Sequence, residues 1–222
     1  MLPNNGEGEP FIDPDFTGAL DETLVEVNDR LTERTGDGQR GLVSAELRIA
    51  QMASQIGQVA SLLDYPPDHL FSSRHSDQDP AWLSARDALL DLAVQAIEAC
   101  EAFSIPASPG KQPTEGSRMD LLSLSHWAIG ELVDEGIELV PDHGDWIAPI
   151  LAEFASLAAA VSTMAKAAQD DINSVSKIER DARSRPDTTV SPLSWGIGQA
   201  GVQGMRLAAL CMIAATSIAI RG

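Results

Sequence analysis

The feature that most constrains the fold is a ladder of apolar residues between Leu42 and Leu63. Its members are separated by alternating steps of three and four residues: Leu42, Ala45, Ile49, Met52, Ile56, Val59 and Leu63. This spacing places them on one stripe of an α-helix, whereas a half-buried strand would alternate at every second residue. A second ladder with the same steps follows 105 residues later: Ile147, Ile150, Phe154, Leu157, Val161, Met164 and Ala168. The two ladders predict two long helices, each with one buried face.

Apolar periodicity and helix-breaking residues extend this prediction to the whole chain. Gly36-Asp37-Gly38, Pro66-Pro67 and Pro141 are typical of helix ends, and Thr17 is a suitable N-cap. No segment has the pattern of a strand. The fold class is therefore all-α, a helical bundle of about six main helices. The predicted ranges are 17–35, 42–65, 80–103, 118–140, 145–173 and 192–220.

Matches between the two halves of the chain suggest that the bundle is built from a repeated unit. Leu24-Val25-Glu26 aligns with Leu132-Val133-Asp134 at an offset of 108, and the ladders align at 105. The expected organisation has two tandem three-helix units packed as one bundle. Its parts are an irregular N-terminal arm 1–16, unit one 17–104, a Pro/Gly linker 105–117 and unit two 118–222.

The charge of the chain limits the classes of partner. With 33 acidic and 15 basic residues, the net charge is -18, which argues against direct binding of nucleic-acid phosphates. The same charge suits a basic protein partner, a divalent metal held by carboxylates, or simply a well-solvated surface. Cys100 and Cys211 lie in apolar helical sequence, which indicates buried thiols in a reducing compartment, although a disulfide between them stays open.

The ends of the sequence bear on localisation. The polar stretch 1–10 does not have the pattern of a secretory signal, and we expect a cytoplasmic protein without membrane contact. The apolar run 207–220 has 14 residues, which is short for a bilayer span, and it contains no acid. We interpret it as a buried core or interface helix, a candidate for the centre of a homodimer. A membrane tail anchor is the alternative.

Two segments resemble the metal-binding helices of the all-α nucleoside triphosphate pyrophosphohydrolases of MazG type. The segments are Ser54-Gln55-Ile56-Gly57-Gln58-Val59-Ala60 and Ala88-Leu89-Leu90-Asp91-Leu92-Ala93. In that family, four carboxylates on these helices bind Mg²⁺, which activates water against a phosphate of the nucleotide. Here Gln55, Gln58 and Ala88 stand at three of the four positions, and a neutral amide does not supply the charge that Mg²⁺ requires. The resemblance therefore implies a MazG-like fold over the first hundred residues without its metal site.

A second set of four acids offers an alternative metal site. Glu98 and Glu101 are three residues apart in the third predicted helix, and Glu131 and Asp134 have the same spacing in the fourth. Residues three apart share one helix face, so that each pair could point into a common Mg²⁺ site. The two alignments exclude each other, because each uses the third helix differently.

Three hypotheses for function follow from these observations. The favoured one is a non-catalytic acidic helical bundle that acts through protein contacts or self-association, as a MazG-like relative that has kept the fold. It needs no cofactor. The first alternative is a Mg²⁺-dependent nucleotide pyrophosphohydrolase that uses Glu98, Glu101, Glu131 and Asp134 as metal ligands. The second is an acidic decoy or inhibitor of a basic partner. The sequence identifies no catalytic residue for any of them.

Overall fold

The computed structural model describes residues 14–36, 45–63, 80–104, 126–137, 146–178 and 192–221. These residues form six α-helices and no strand, which confirms the all-α prediction. The helices are α1 Pro14–Gly36, α2 Ala45–Leu63, α3 Pro80–Ser104, α4 at residues 126–134, α5 Ile147–Ile178 and α6 Pro192–Arg221. The predicted linker 105–117 and most of the predicted arm 1–16 lie outside the described residues.

Helix α6 lies at the centre of the bundle. It packs most extensively against α3 and α5 and also contacts α1, while α2 packs on α3 and α5. Every residue from 207 to 218 is buried, as expected for an apolar run that we interpreted as a buried core or interface helix. The helices that cover it belong to the same chain, so α6 forms the core of the protomer, and its place in a homodimer stays a prediction.

Two helices are long and apolar enough to cross a membrane by length and composition, Ile147–Ala167 of α5 and Gln199–Ile220 of α6. The second window is longer than the 14 residues considered above, because it extends past Arg206. A core helix of a soluble bundle passes the same test, and 78% of the α6 window is buried inside the protein. Only 22% of the α5 window is buried inside the protein.

Both apolar ladders face the core. Met52, Ile56 and Val59 of α2 are buried, as are Ile150, Leu157 and Val161 of α5. The remaining described ladder side chains are partly buried and pack against the same core: Ile49, Ile147, Phe154 and Met164. The spacing of three and four therefore identified the inward face of both helices correctly.

The start of α1 differs from the prediction. The helix begins at Pro14 and not after Thr17, so the assignment of Thr17 as N-cap is wrong. Proline is well tolerated at the first helical position, where its missing N–H has no intrahelical partner, and Asp15 in the first turn suits the positive end of the helix dipole. The sequence reasoning passed over these two residues because it treated the acidic, proline-rich start as an irregular arm.

The end of α4 also differs from the prediction of a helix that continues to residue 140. Gly136 has a φ of 84°, the left-handed conformation that glycine adopts without strain. The Gly136 N–H donates to the Val133 carbonyl at 2.9 Å, and the Ile137 N–H donates to the Leu132 carbonyl at 3.0 Å. This is a Schellman motif, which ends the helix well before Pro141.

The proposed repeat has a limited structural counterpart. Leu24 and Leu132, which the sequence aligns, are both buried. However, α1 continues to Gly36, whereas α4 ends two residues after Leu132. The aligned turns therefore occupy different places in their helices, and duplication stays a prediction.

A buried polar contact joins α1 to the central helix. The Thr216 hydroxyl lies 2.9 Å from the Thr23 hydroxyl, and Thr23 in turn donates to the Ala19 carbonyl at 2.9 Å. Both threonines are almost completely buried. Because a buried hydroxyl without a partner is unfavourable, this pair favours one register of α1 along α6.

The two cysteines are buried and form no disulfide, which answers the open question of a bond between them. Burial raises the pKa of the Cys211 thiol. The Cys100 thiol of α3 donates to the Gly201 carbonyl of α6 at 3.3 Å. A Cβ atom at Gly204 would collide with Cys100 Sγ, so glycine at this position permits the close approach of α3 and α6.

Candidate functional site

The helices α2 and α3 meet at the positions that align with the MazG-like metal site. Gln55 Nε2 donates to the Ala88 carbonyl at 3.4 Å, and Gln95 Nε2 donates to Gln55 Oε1 at 3.1 Å. Gln58 is exposed. Amide hydrogen bonds from Gln55 thus join the two helices at this position.

Asp91, the one acid at the four positions of the predicted alignment, binds arginines from α1. Arg30 Nη1 donates to Asp91 Oδ1 at 2.9 Å, and Arg34 Nη2 lies 3.7 Å from the same oxygen. Guanidinium groups thus neutralise this carboxylate from within the chain. Sequence reasoning missed these arginines, because nothing in their spacing indicates which helix they face.

The arginine contacts belong to a larger network between α1 and α3. Arg30 also pairs with Asp87 and with Glu26, and Arg86 Nη2 donates to Glu26 Oε2 at 2.7 Å. Burial raises the pKa of Glu26, but the hydrogen bonds from Arg86 and Arg30 together lower it by more. The net pKa of Glu26 is therefore below its ordinary value of 4.5. For Arg30, burial opposes the charged form while its three acidic partners favour it, and the net pKa is raised.

A pocket of about 370 Å³ opens beside this network, between α1, α2 and α3. We call it the three-helix pocket. It is lined by Arg34, Gln51, Met52, Ser54, Gln55, Gln95 and Glu98. The lining is mostly polar and contains one cation and one anion. Met52, which is 1% exposed, is its apolar component.

The structure places the four predicted metal ligands as follows. The Glu98 carboxylate lies 3.6 Å from Arg34 Nη1, and its side chain is half-buried. Glu131 and Asp134 are exposed on α4, and the side chain of Glu101 is outside the described part of the chain. Among the side chains that are described, no group of three or more His, Cys, Asp or Glu could hold a metal ion. The complete quartet stays a prediction.

A second ion-pair network joins α4, α5 and α6. Arg206 of α6 donates from Nε to Glu153 Oε1 at 3.1 Å and from Nη1 to Glu135 Oε1 at 3.0 Å. Glu153 is 16% exposed, and its Oε2 has no hydrogen-bond partner among the described residues. The hydrogen bond from Arg206 lowers the pKa of Glu135 below 4.5, and both carboxylates raise the pKa of Arg206 despite its burial.

The solvent-facing side of α5 has no charged residue over about four turns. Glu153 points inward to Arg206, and the next charge in the exposed window is Lys166. We call this surface the outer face of α5. Its exposed residues are Ala148, Leu151, Ala152, Ala155, Ser156, Ala159, Ser162 and Thr163. The sequence contained the signal for this face, because it is the complement of the second ladder.

Three places in the fold are therefore candidates for function: the three-helix pocket, the ion-pair network around Asp91, and the outer face of α5. Comparison with protein families, with curated proteins and with solved structures finds no significant match to this chain.

Proposed function

We propose that the protein is a non-catalytic helical bundle that acts through protein contacts, and that a second copy of the chain binds to the outer face of α5. One observation supports this most directly. The window Ile147–Ala167 is apolar, yet only 22% of it is buried within the chain, and Leu151 is 46% exposed. An exposed, uncharged helix face of this kind suits an interaction site.

The absence of acids on this face makes it compatible with a second copy as the occupant. Two chains that each have a net charge of -18 repel one another unless their contact surfaces exclude acids. The outer face of α5 meets this condition. A two-fold axis would place this face of one protomer against the same face of its partner. Ala148, Ala152, Ala155 and Ala159 are small enough for two helices to approach closely.

The proposal predicts that one charge on the outer face of α5 prevents dimerisation. Leu151→Glu introduces an acid opposite its own copy, and we expect the variant to sediment as a monomer where the unmodified chain is a dimer. Leu83→Glu is the matched control, because Leu83 is 52% exposed on α3 and lies on another helix. Sedimentation velocity over a concentration series measures both. A monomeric unmodified chain, or equal dissociation of both variants, would contradict the proposal.

The non-catalytic part of the proposal is supported by the side chains at the MazG-like positions. Gln55 is hydrogen-bonded to Ala88 and Gln95, and Asp91 pairs with Arg30 and Arg34. We propose a degenerate relative of the MazG-like fold that has exchanged metal ligands for internal polar contacts. The buried free thiols suit a cytoplasmic location.

The enzyme alternative is tested by activity and by metal binding. If the protein is non-catalytic, the purified chain will not hydrolyse nucleoside triphosphates with Mg²⁺ beyond the background of a control preparation. Calorimetric titration with Mg²⁺ is the companion measurement. Saturable Mg²⁺ binding that is lost in Glu98→Gln or Glu131→Gln, together with hydrolysis, would establish the pyrophosphohydrolase instead.

A second candidate function is supported by the exposed side of α1. Asp21, Glu22, Asp29 and Glu33 are all exposed there, and Val25 among them is 61% exposed. An acidic helix face with an apolar residue in its middle suits a basic partner, as in a decoy or inhibitor. Binding of such a partner would weaken steeply with salt and would weaken further in Glu22→Gln/Asp29→Asn. Salt-insensitive binding would count against it.

A further inference from the structure

The exposed surface of α2, like that of α5, has no charged side chain over most of the helix. No Asp, Glu, Lys or Arg occurs between Ile49 and Leu63, although 22% of the whole chain is charged. One edge of this surface consists of exposed residues at steps of three and four: Ala50, Ala53, Gly57 and Ser61. We call it the α2 edge. It contributes no charge that would repel a second copy of the chain.

The α2 edge lies on the side of α2 that is turned away from α3. Gln55 marks the opposite side, because it donates to the Ala88 carbonyl of α3. Two residues turn an α-helix by about 200°, so Gly57 lies across the helix from Gln55. Helix α2 also packs on α5. The α2 edge and the outer face of α5 therefore belong to neighbouring helices, and neither carries a charge.

The outer face of α5 is too narrow to form a stable dimer by itself. Its residues run from position 148 to position 163. This length corresponds to about 24 Å of helix, and a helix is about 10 Å wide, so the flat strip measures about 240 Å². Even about twice that area is well below the roughly 800 Å² that a stable interface buries on each partner. A stable dimer that uses α5 must therefore include neighbouring surface.

Among the described neighbours of α5, α2 is the one suited to supply this surface. The central helix α6 is mostly buried within the protomer. Helix α4 is joined to α5 through Arg206, but it exposes Glu131, Asp134 and Glu135. A contact surface that included α4 would bring the acids of both copies together, which is costly. The α2 edge adds contact area without this repulsion.

We infer that the α2 edge is the second part of the dimer interface, so that α2 and α5 of one protomer pack on α2 and α5 of its partner. This inference rests on the proposed dimer and names the further surface that a second copy buries. Two chains that each have a net charge of -18 gain contact area in this way without bringing acids together.

Gly57 is a position at which a side chain can be added without disturbing the protomer. Among the described residues, nothing lies within 4 Å of a Cβ atom added at Gly57 or at Gly18 of α1, and both glycines are exposed in helices. Gly57→Glu and Gly18→Glu therefore add the same side chain and the same charge to open helix surface. We expect Gly57→Glu to raise the dissociation constant of the dimer about tenfold or more, because like charges repel across an interface. Gly18→Glu should leave that constant unchanged.

Sedimentation velocity over a concentration series measures the dissociation constant, and circular dichroism checks that each variant is folded. Ser61→Glu, one turn further along the α2 edge, is a second variant and should act like Gly57→Glu. The inference is overturned, with the proposed dimer intact, if Leu151→Glu dissociates the chain while Gly57→Glu and Ser61→Glu do not. It is also overturned if Gly18→Glu weakens the dimer as much as Gly57→Glu. A monomeric unmodified chain would overturn the proposed dimer and this inference together.

Discussion

Position 204 shows how a single residue sets the distance between two helices. A Cβ atom there would meet Cys100 Sγ first, and it would also lie 3.4 Å from the Ala96 carbonyl. The thiol has little freedom to move away, because it is buried and donates to Gly201. The close packing of α3 on the central helix therefore depends on glycine at this position.

We expect Gly204→Ala to lower the free energy of unfolding by about 1–3 kcal/mol, the usual cost of an overpacked core. Urea denaturation measures the change. Cys100→Ala should largely restore stability in the double variant, since it removes the atom that collides. Gly57→Ala is the control: nothing lies within 4 Å of its added Cβ, and a helical alanine there should stabilise by up to about 1 kcal/mol. Equal effects at positions 204 and 57 would disprove the steric explanation.

At the scale of the element, α4 offers a test of how a helix ends. Gly136 and Gly130 both have open space around an added Cβ atom, so any difference between them comes from the backbone alone. Gly136 has a φ of 84° at the end of α4, whereas Gly130 is inside the helix. The same substitution should therefore have opposite effects at the two positions.

Gly136→Ala should destabilise the protein by about 1–2 kcal/mol, because an L-residue is strained in the left-handed conformation. Gly130→Ala should stabilise it by up to about 1 kcal/mol, because alanine favours the helix. Thermal unfolding followed by circular dichroism compares the two. If Gly136→Ala were neutral, the Schellman motif would not be what fixes the end of α4.

Arg206 joins three elements, and its removal should be costly. In Arg206→Met, Glu153 is left in a poorly exposed site without its cation, and we expect a loss of about 2–4 kcal/mol. The double variant Arg206→Met/Glu153→Leu removes both charges and should recover most of that loss. Arg34→Met, which removes a more exposed guanidinium that makes two longer contacts, should change stability by less than about 1 kcal/mol. Chemical denaturation of the unmodified chain, these three variants and the single variant Glu153→Leu measures the effects, and an additive double variant would show that the pair is not coupled.

The elements could be predicted from the sequence to different degrees. The two ladders identified α2 and α5 and their buried faces, because a periodicity of three and four has one structural meaning. Helix ends were less certain: Pro14 and Gly136 determine two of them, and both were passed over in favour of Thr17 and Pro141. The partners of Arg30 and Arg206 could not be predicted, since they depend on how helices far apart in sequence lie side by side.

At the scale of the whole molecule, a site can be predicted from the sequence when its residues lie on one helix, but not when it depends on how several helices pack. Glutamines at 55 and 58 already argued against metal on α2. The three-helix pocket was not predictable, because its lining comes from three helices whose mutual arrangement is a tertiary property. The outer face of α5 was predictable in principle, as the uncharged side opposite a ladder.

The network between α1 and α3 makes whole-molecule stability depend on pH. The pKa of Glu26 in the folded protein is held below 4.5, so its contribution is present above that pH and is lost as the pH falls through the folded value. Glu26→Gln should cost about 0.5–1 kcal/mol at pH 7, a modest figure because the pair is partly exposed. In urea titrations, the difference from the unmodified chain should shrink as the pH falls below 4.5. Glu22→Gln, at an exposed position of the same helix, is the control for the substitution itself.

The central position of α6 determines when the bundle can fold during synthesis. A ribosome synthesises α1 to α5 before α6, so the faces that these helices turn toward it stay uncovered until it has emerged. Nascent chains that stop before residue 192 would expose α3 and α5 to chaperones and to each other. Completion of the fold therefore waits for α6, and a chain released before residue 192 should aggregate far more than one that includes α6.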